Sequence, residues 1–130
     1  MAKPVGWRSS PTEHWIQSKF FDWAKLHPVA RRAYAIPNGG KRHHTEAARL
    51  KGEGVRAGVL DVHLPVPRGG CAGLWIEFKS LSGRLSDEQA EEIEALAADG
   101  FAVAVMRCPF EAIGLAERYL KGEVSPGRVT

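Results

Sequence analysis

Apolar positions recur along the chain with two different periods. Residues 10–27, "SPTEHWIQSKFFDWAKLH", repeat them at helical spacing: Ile16, Phe20, Trp23 and Ala24 form one stripe. Ser10 as N-cap, Pro11 at the first helical position and Glu13 closing an S-x-x-E capping box mark its start. His27 and Pro28 mark its end. "AYAIPNGG" then reads as a short strand entering a Pro-Asn-Gly-Gly loop, and Thr45–Lys51 as a short helix stopped at Gly52 or Gly54.

The period changes to two in "GVLDVHLPV" and "AGLWIEFK", which are separated by the turn-rich "PRGGC" and predict a β-hairpin. In the first strand Leu60, Val62 and Leu64 point one way, and Asp61 and His63 the other. In the second, Leu74, Ile76 and Phe78 share the apolar face, and Trp75, Glu77 and Lys79 the opposite one. "SDEQAEEIEALAADG" is a helix with a Ser86/Gln89 capping box, acids in its first turns and Gly100 as its stop. "FAVAVMRC" is a continuous apolar run, as expected of a buried strand parallel to its neighbour across the helix. "FEAIGLAERYL" closes the series as an amphipathic helix, with Ile113, Leu115 and Leu120 facing the core. The order α-β-(α)-β-β-α-β-α predicts an α/β sandwich around a small mixed sheet.

A chain of 130 residues suits a single domain over 1–130, with its core over about 12–120 and loose termini at 1–9 and 122–130. Its 44% hydrophobic and 25% charged residues are those of a globular protein with a real core. The net charge of +3 is compatible with a polyanionic partner and does not demand one. Cys71 and Cys108 are too few for a disulfide framework, and neither has metal-ligand spacing around it. There is no signal-like or membrane-length apolar run, so a cytoplasmic location is expected, with no membrane partner.

The chemistry sits on the hairpin. If it is symmetric about Gly69, Asp61 lies opposite Glu77, with Cβ atoms about 5 Å apart. Two carboxylates that close repel unless a cation lies between them. A hard divalent ion answers this with carboxylate and water ligands. Lys79, one pleat on, would then stand beside an attacking water or a developing phosphate charge. The bland alternative is an exposed sheet face on which Glu77, Lys79 and Asp61 form ordinary ion pairs. A one-residue slip in register would also separate Asp61 from Glu77.

Four ordered segments carry a resemblance: "IPNGGKR", "ARLKGEGVRAGVLDVHLP", "GLWIEFKSLSGRLSDEQ" and "GFAVAVMRC". Together they resemble the VRR-NUC domain, the virus-type replication-repair nuclease branch of the PD-(D/E)XK superfamily, from about Thr12 to Leu120. The resemblance implies a PD-(D/E)XK nuclease-like mixed central sheet flanked by helices, with an α-β-β-β-α-β core. It implies cleavage of DNA dependent on Mg²⁺ or Mn²⁺, with no organic cofactor. It matches the metal-binding aspartate to Asp61 and the E-x-K element to Glu77 and Lys79. The carbonyl of Phe78 would also touch the metal, and Glu13 would reach it directly or through water. Gln17, one turn on from Glu13, and Gln89 in S-x-x-Q are supporting candidates. The family's proline before the aspartate is here Leu60, a change of backbone shape that removes no chemical group.

Asn38, Gly39, Gly40, Lys41 and Arg42, with Arg49, Lys51 and Arg56, make the densest positive stretch. They are candidates for tracking nucleic-acid phosphates, against the reading of a solvated loop. His43 and His44 read as surface residues, and His63, on the face of Asp61, as a supporting contact or a structural residue. Trp15, Trp23 and Trp75 read as packing, and Trp7 as loose or an interface anchor. Stand-alone relatives imply a homodimer working on branched or flapped DNA. Two other readings are kept: a non-catalytic DNA-binding module of the same fold, and a protein-interaction domain.

Overall fold

A computed structural model describes residues 11–37 and 44–129. The elements run α1 (Glu13–Ala24), β1 (Tyr34–Ala35), α2 (His44–Gly52), β2 (Val62–Leu64), β3 (Leu74–Phe78), α3 (Asp87–Ala98), β4 (Ala102–Met106), α4 (Pro109–Leu120) and β5 (Gly127–Arg128). The sheet order is β1-β2-β3-β4-β5. β2 is antiparallel to β1 and β3, whereas β4 is parallel to β3 and β5. This is the mixed sheet flanked by helices that the hydrophobic pattern predicts.

The two faces carry two cores. Val62, Leu64, Leu74, Ile76, Phe78, Ala102 and Ala104 pack with Ile16, Phe20 and Ala24 of α1 and Ala112, Leu115, Ala116 and Tyr119 of α4. The smaller core under α3 joins Leu60, Ile93 and Val103, flanked by Trp75, Phe101 and Val105. The odd positions of β3 are therefore not a solvated face. They begin in the α3 core at Trp75 and continue to Glu77 and Lys79, which are 2% and 8% exposed. That excludes the reading of an exposed ion-pair face.

The hairpin register is the predicted one. Val62 pairs Ile76, His63 pairs Trp75 and Leu64 pairs Leu74. The turn closes through Arg68 and Cys71, with Gly69 and Gly70 at φ +58° and +82°. Positive φ at both central positions matches the right-handed twist of the strands, and glycine adopts it without strain. At Gly69 a Cβ would also stand 2.8 Å from the carbonyl oxygen of Val124.

Three expectations are corrected. α1 is capped by Thr12, whose Oγ1 accepts from the Trp15 N–H at 3.1 Å. Threonine closes the same kind of bond as the expected Ser10, so the helix begins at Glu13, which has no part in the cap; Ser10 itself lies outside the described residues. Leu60 does not share a face with Val62 and Leu64 but enters the α3 core. The pleat starts only at Val62, and the chain before it turns through Gly58 at φ +90°. The C-terminal stretch expected to be loose carries β5: the N–H groups of Gly127 and Val129 donate to Phe101 and Val103 carbonyls at 2.9 and 2.8 Å.

Candidate active site

The candidate side chains gather where β3 and β4 end and β2 begins. One step past the ladder pair Val62–Ile76 brings Asp61 opposite Glu77. A hydrogen bond fixes the pairing, because Asp61 Oδ2 accepts from the Phe78 N–H at 2.8 Å. The aspartate is thus tied to the backbone between Glu77 and Lys79.

Glu77 is the most buried charged residue of the group, and its two oxygens have different surroundings. Oε2 accepts from Gln89 Nε2 at 2.8 Å and lies 3.5 Å from Lys79 Nζ. Oε1 is buried with no hydrogen-bond partner. Burial, and next the charge of Asp61, push the Glu77 carboxyl up to about 8, against the attraction of Lys79. Asp61 is also raised, by burial first; the Phe78 N–H opposes this, and the charge of Glu13 adds to it. Lys79 Nζ lies 3.9 Å from Glu13 Oε1, so the lysine stands between the two glutamates. The cluster concentrates more negative charge than its own cation neutralises. Hard oxygen donors and an orphaned buried oxygen suit a divalent cation held by few protein ligands and several waters. Among the described residues no three His, Cys, Asp or Glu side chains form a ready-made metal cage.

Gln89 is held at both ends. Its Oε1 accepts from the Ser86 N–H at 2.9 Å, and Ser86 Oγ accepts from the Gln89 N–H at 3.1 Å, which completes the predicted capping box. A flipped amide would set NH₂ against N–H and oxygen against carboxylate, so the amide has one orientation.

Two clefts border the cluster. One, of about 830 Å³, runs along α1 and is lined by Glu13, Gln17, Phe21, Pro37 and Asp61 among others. The other, of about 890 Å³, runs between α2 and α3 and includes Lys51, Arg56 and Gln89. Gln17 therefore reaches the same cleft as Glu13 and Asp61, while Lys51 lies at the second cleft. Arg49 pairs with Glu53 on the surface at 3.2 Å. Arg56 donates two bonds to Glu92 of α3, at 2.8 and 2.9 Å, and so ties its loop to that helix. His63 belongs to an aromatic cluster with Tyr34, Trp75 and Phe101. Its Nδ1 is 2.7 Å from the Tyr34 hydroxyl, and its ring stacks on Trp75 at 4.1 Å. Burial lowers its pKa. The expected contacts at Asn38, Gly39, Gly40, Lys41 and Arg42 lie outside the described residues, as do His43 and Trp7.

Sequence reasoning passes over Arg107. Its Nη1 donates to the carbonyls of Ser80 at 2.5 Å and Gly83 at 2.7 Å, with that of Leu81 at 3.5 Å. The available signal was a cation directly after the apolar run "VAVM", at the carboxyl end of a parallel strand, where open α/β sheets place their ligands.

A mixed sheet that brings an aspartate, an E-x-K strand and a helix-borne glutamate to one edge defines a nuclease-type α/β domain. The comparisons agree: the VRR-NUC domain matches residues 6–109, and the chain belongs to that family. A solved structure titled "VRR_NUC domain protein" superposes with a TM-score of 0.76 and 28% identity, over 90% of this chain and 98% of its own. No curated protein matches.

Proposed function

We propose that this chain is a divalent-metal-dependent DNA endonuclease. The observation that carries the reading is Asp61 beside Glu77 one step past the last β2–β3 ladder pair, its carboxylate held by the Phe78 N–H at 2.8 Å, with Lys79 Nζ 3.5 Å from Glu77. Asp61, Glu77 and the Phe78 carbonyl would hold Mg²⁺ or Mn²⁺, with Glu13 as a direct or water-mediated ligand. When bound, the ion would lower the pKa of a coordinated water and neutralise charge on the scissile phosphate.

The chain's own groups do the rest. The Phe78 N–H holds Asp61 in place, and the Gln89 amide holds Glu77 by one oxygen and leaves the other free. Lys79 is almost fully buried, so its ammonium is a fixed charge that orients the attacking water or stabilises the phosphorane-like charge. Glu13 limits how far that ammonium can swing.

From the resemblance we propose further that the substrate is branched or flapped DNA met in replication, recombination or repair, and that two copies act together on it. The test is cleavage of labelled four-way junctions, flaps and plain duplex with Mg²⁺, Mn²⁺ or EDTA. Metal-dependent product from wild type is expected, with Asp61→Ala and Lys79→Ala each reduced by at least about 100-fold. No metal-dependent product on any substrate, or Lys79→Ala cutting like wild type, would sink the reading.

A further inference from the structure

We propose that Arg107 forms a binding site for a phosphate of the DNA backbone next to the scissile one; this rests on the nuclease reading above. Phe78 and Met106 are the last ladder pair of β3 and β4, and the Lys79 N–H donates to the Met106 carbonyl at 3.0 Å. One step further, Lys79 and Arg107 are neighbours on adjacent strands, about 5 Å apart along the hydrogen-bonding direction. The charged row at the sheet edge thus extends from Asp61 and Glu77 through Lys79 to Arg107.

The guanidinium is anchored and half free. Nη1 alone makes its bonds, to the turn of Ser80, Leu81 and Gly83. Among the described residues Nε and Nη2 have no hydrogen-bond partner, and neither is sealed from solvent. No carboxylate of those residues lies within ion-pair distance. Arginine without a carboxylate contrasts with Arg49 and Arg56, both paired. A guanidinium fixed by one nitrogen has lost the rotamer freedom that binding would otherwise remove, and its open Nε/Nη2 edge matches two phosphate oxygens. A purely structural clamp would not require a charge there, since amide donors serve carbonyls as well.

The test uses the full chain with Ca²⁺ in place of the cutting ion, and labelled duplex and four-way junction as probes. Fluorescence anisotropy over a salt series is measured for wild type, Arg107→Ala, Arg107→Gln and Arg107→Lys. Arg107→Gln keeps a donor for the turn and removes the charge, so it separates the clamp from the phosphate contact. Arg107→Ala and Arg107→Gln are expected to bind about tenfold more weakly and to lower the salt slope by about one. Arg107→Lys should keep the slope and lose part of the affinity. In Mg²⁺, Arg107→Gln should raise KM and leave kcat within a few-fold. Unchanged affinity and slope in Arg107→Gln, or a fall in kcat alone, overturns the proposal and leaves Arg107 as a turn clamp. Wild type that neither binds nor cuts DNA overturns the nuclease reading itself, and this proposal with it.

Discussion

Glu77 carries the electrostatic cost of the site. Its carboxylate is buried beside Asp61, and one lysine shared with Glu13 does not offset that burial. A carboxyl whose pKa in the folded chain is raised binds more protons folded than unfolded. Its protonated form therefore favours folding below the ordinary value of 4.5, and that stability is lost as pH rises through about 8. We expect urea unfolding of the metal-free protein to show falling stability across this window, and Glu77→Gln to flatten the profile. Mg²⁺ or Mn²⁺ should restore stability most at the alkaline end, where the ligand no longer has to lose a proton. A profile in Glu77→Gln as steep as in wild type would assign the pH dependence elsewhere. Alternation put Glu77 and Lys79 on one face, but not Asp61, which lies before the pleat and depends on the strand register. It could not distinguish a buried face from a solvated one, because that depends on what α3 covers.

α3 organises the site from its first turn. Ser86 caps the helix, Gln89 reaches from the cap to Glu77, and Glu92 holds Arg56 one turn on. Gly58, at φ +90°, lies so close to the helix that a Cβ there would stand 2.6 Å from the Glu88 carbonyl oxygen. The loop leading to Asp61 and the strand bearing Glu77 thus meet the same turn of helix. Ser86→Ala should lower stability by about 1 kcal/mol, as loss of an N-cap does. It should also reduce cleavage beyond that effect, because the Gln89 amide loses its orientation. Ser86→Asp, which keeps a capping acceptor, should recover both, measured by thermal melts and single-turnover cleavage. Equal activity in Ser86→Ala and wild type would reduce the box to a helix cap. The S-x-x-Q spacing was legible because a capping box is a local device. Its reach to Glu77 was not, since that depends on how α3 packs on β3.

In the whole molecule, β5 covers the outer edge of β4, whose Ala102, Val103 and Ala104 are buried. Val124 seats the segment before it: its side chain is buried, and its carbonyl accepts from the Cys71 thiol at 3.3 Å. Removing residues 126–130 would uncover the edge of β4. We expect a lower melting temperature and concentration-dependent association in size-exclusion chromatography, since an open apolar edge is a template for pairing. A truncated chain that melts and elutes like wild type would show that β5 adds nothing. Among the described residues no helix is long and apolar enough to cross a membrane.

Some of this protein was determined within short stretches of chain. The helical stripes, the α3 cap and the alternation that puts Glu77 and Lys79 on one face all follow from local spacing, where neighbours in sequence are neighbours in space. The Arg68–Cys71 turn is centred half a step from the ladder, so the strand register and not the turn sets Asp61 against Glu77. The rest was decided by packing between distant segments. α3 turned a plausible surface pair into a buried, proton-hungry glutamate. The β3–β4 register brought Arg107 beside Lys79 from 28 positions away. The polar tail that composition marks as loose became a strand because β4 had unpaired backbone groups to satisfy. The free energy of each of these contacts belongs to two elements at once, so neither segment read alone discloses it.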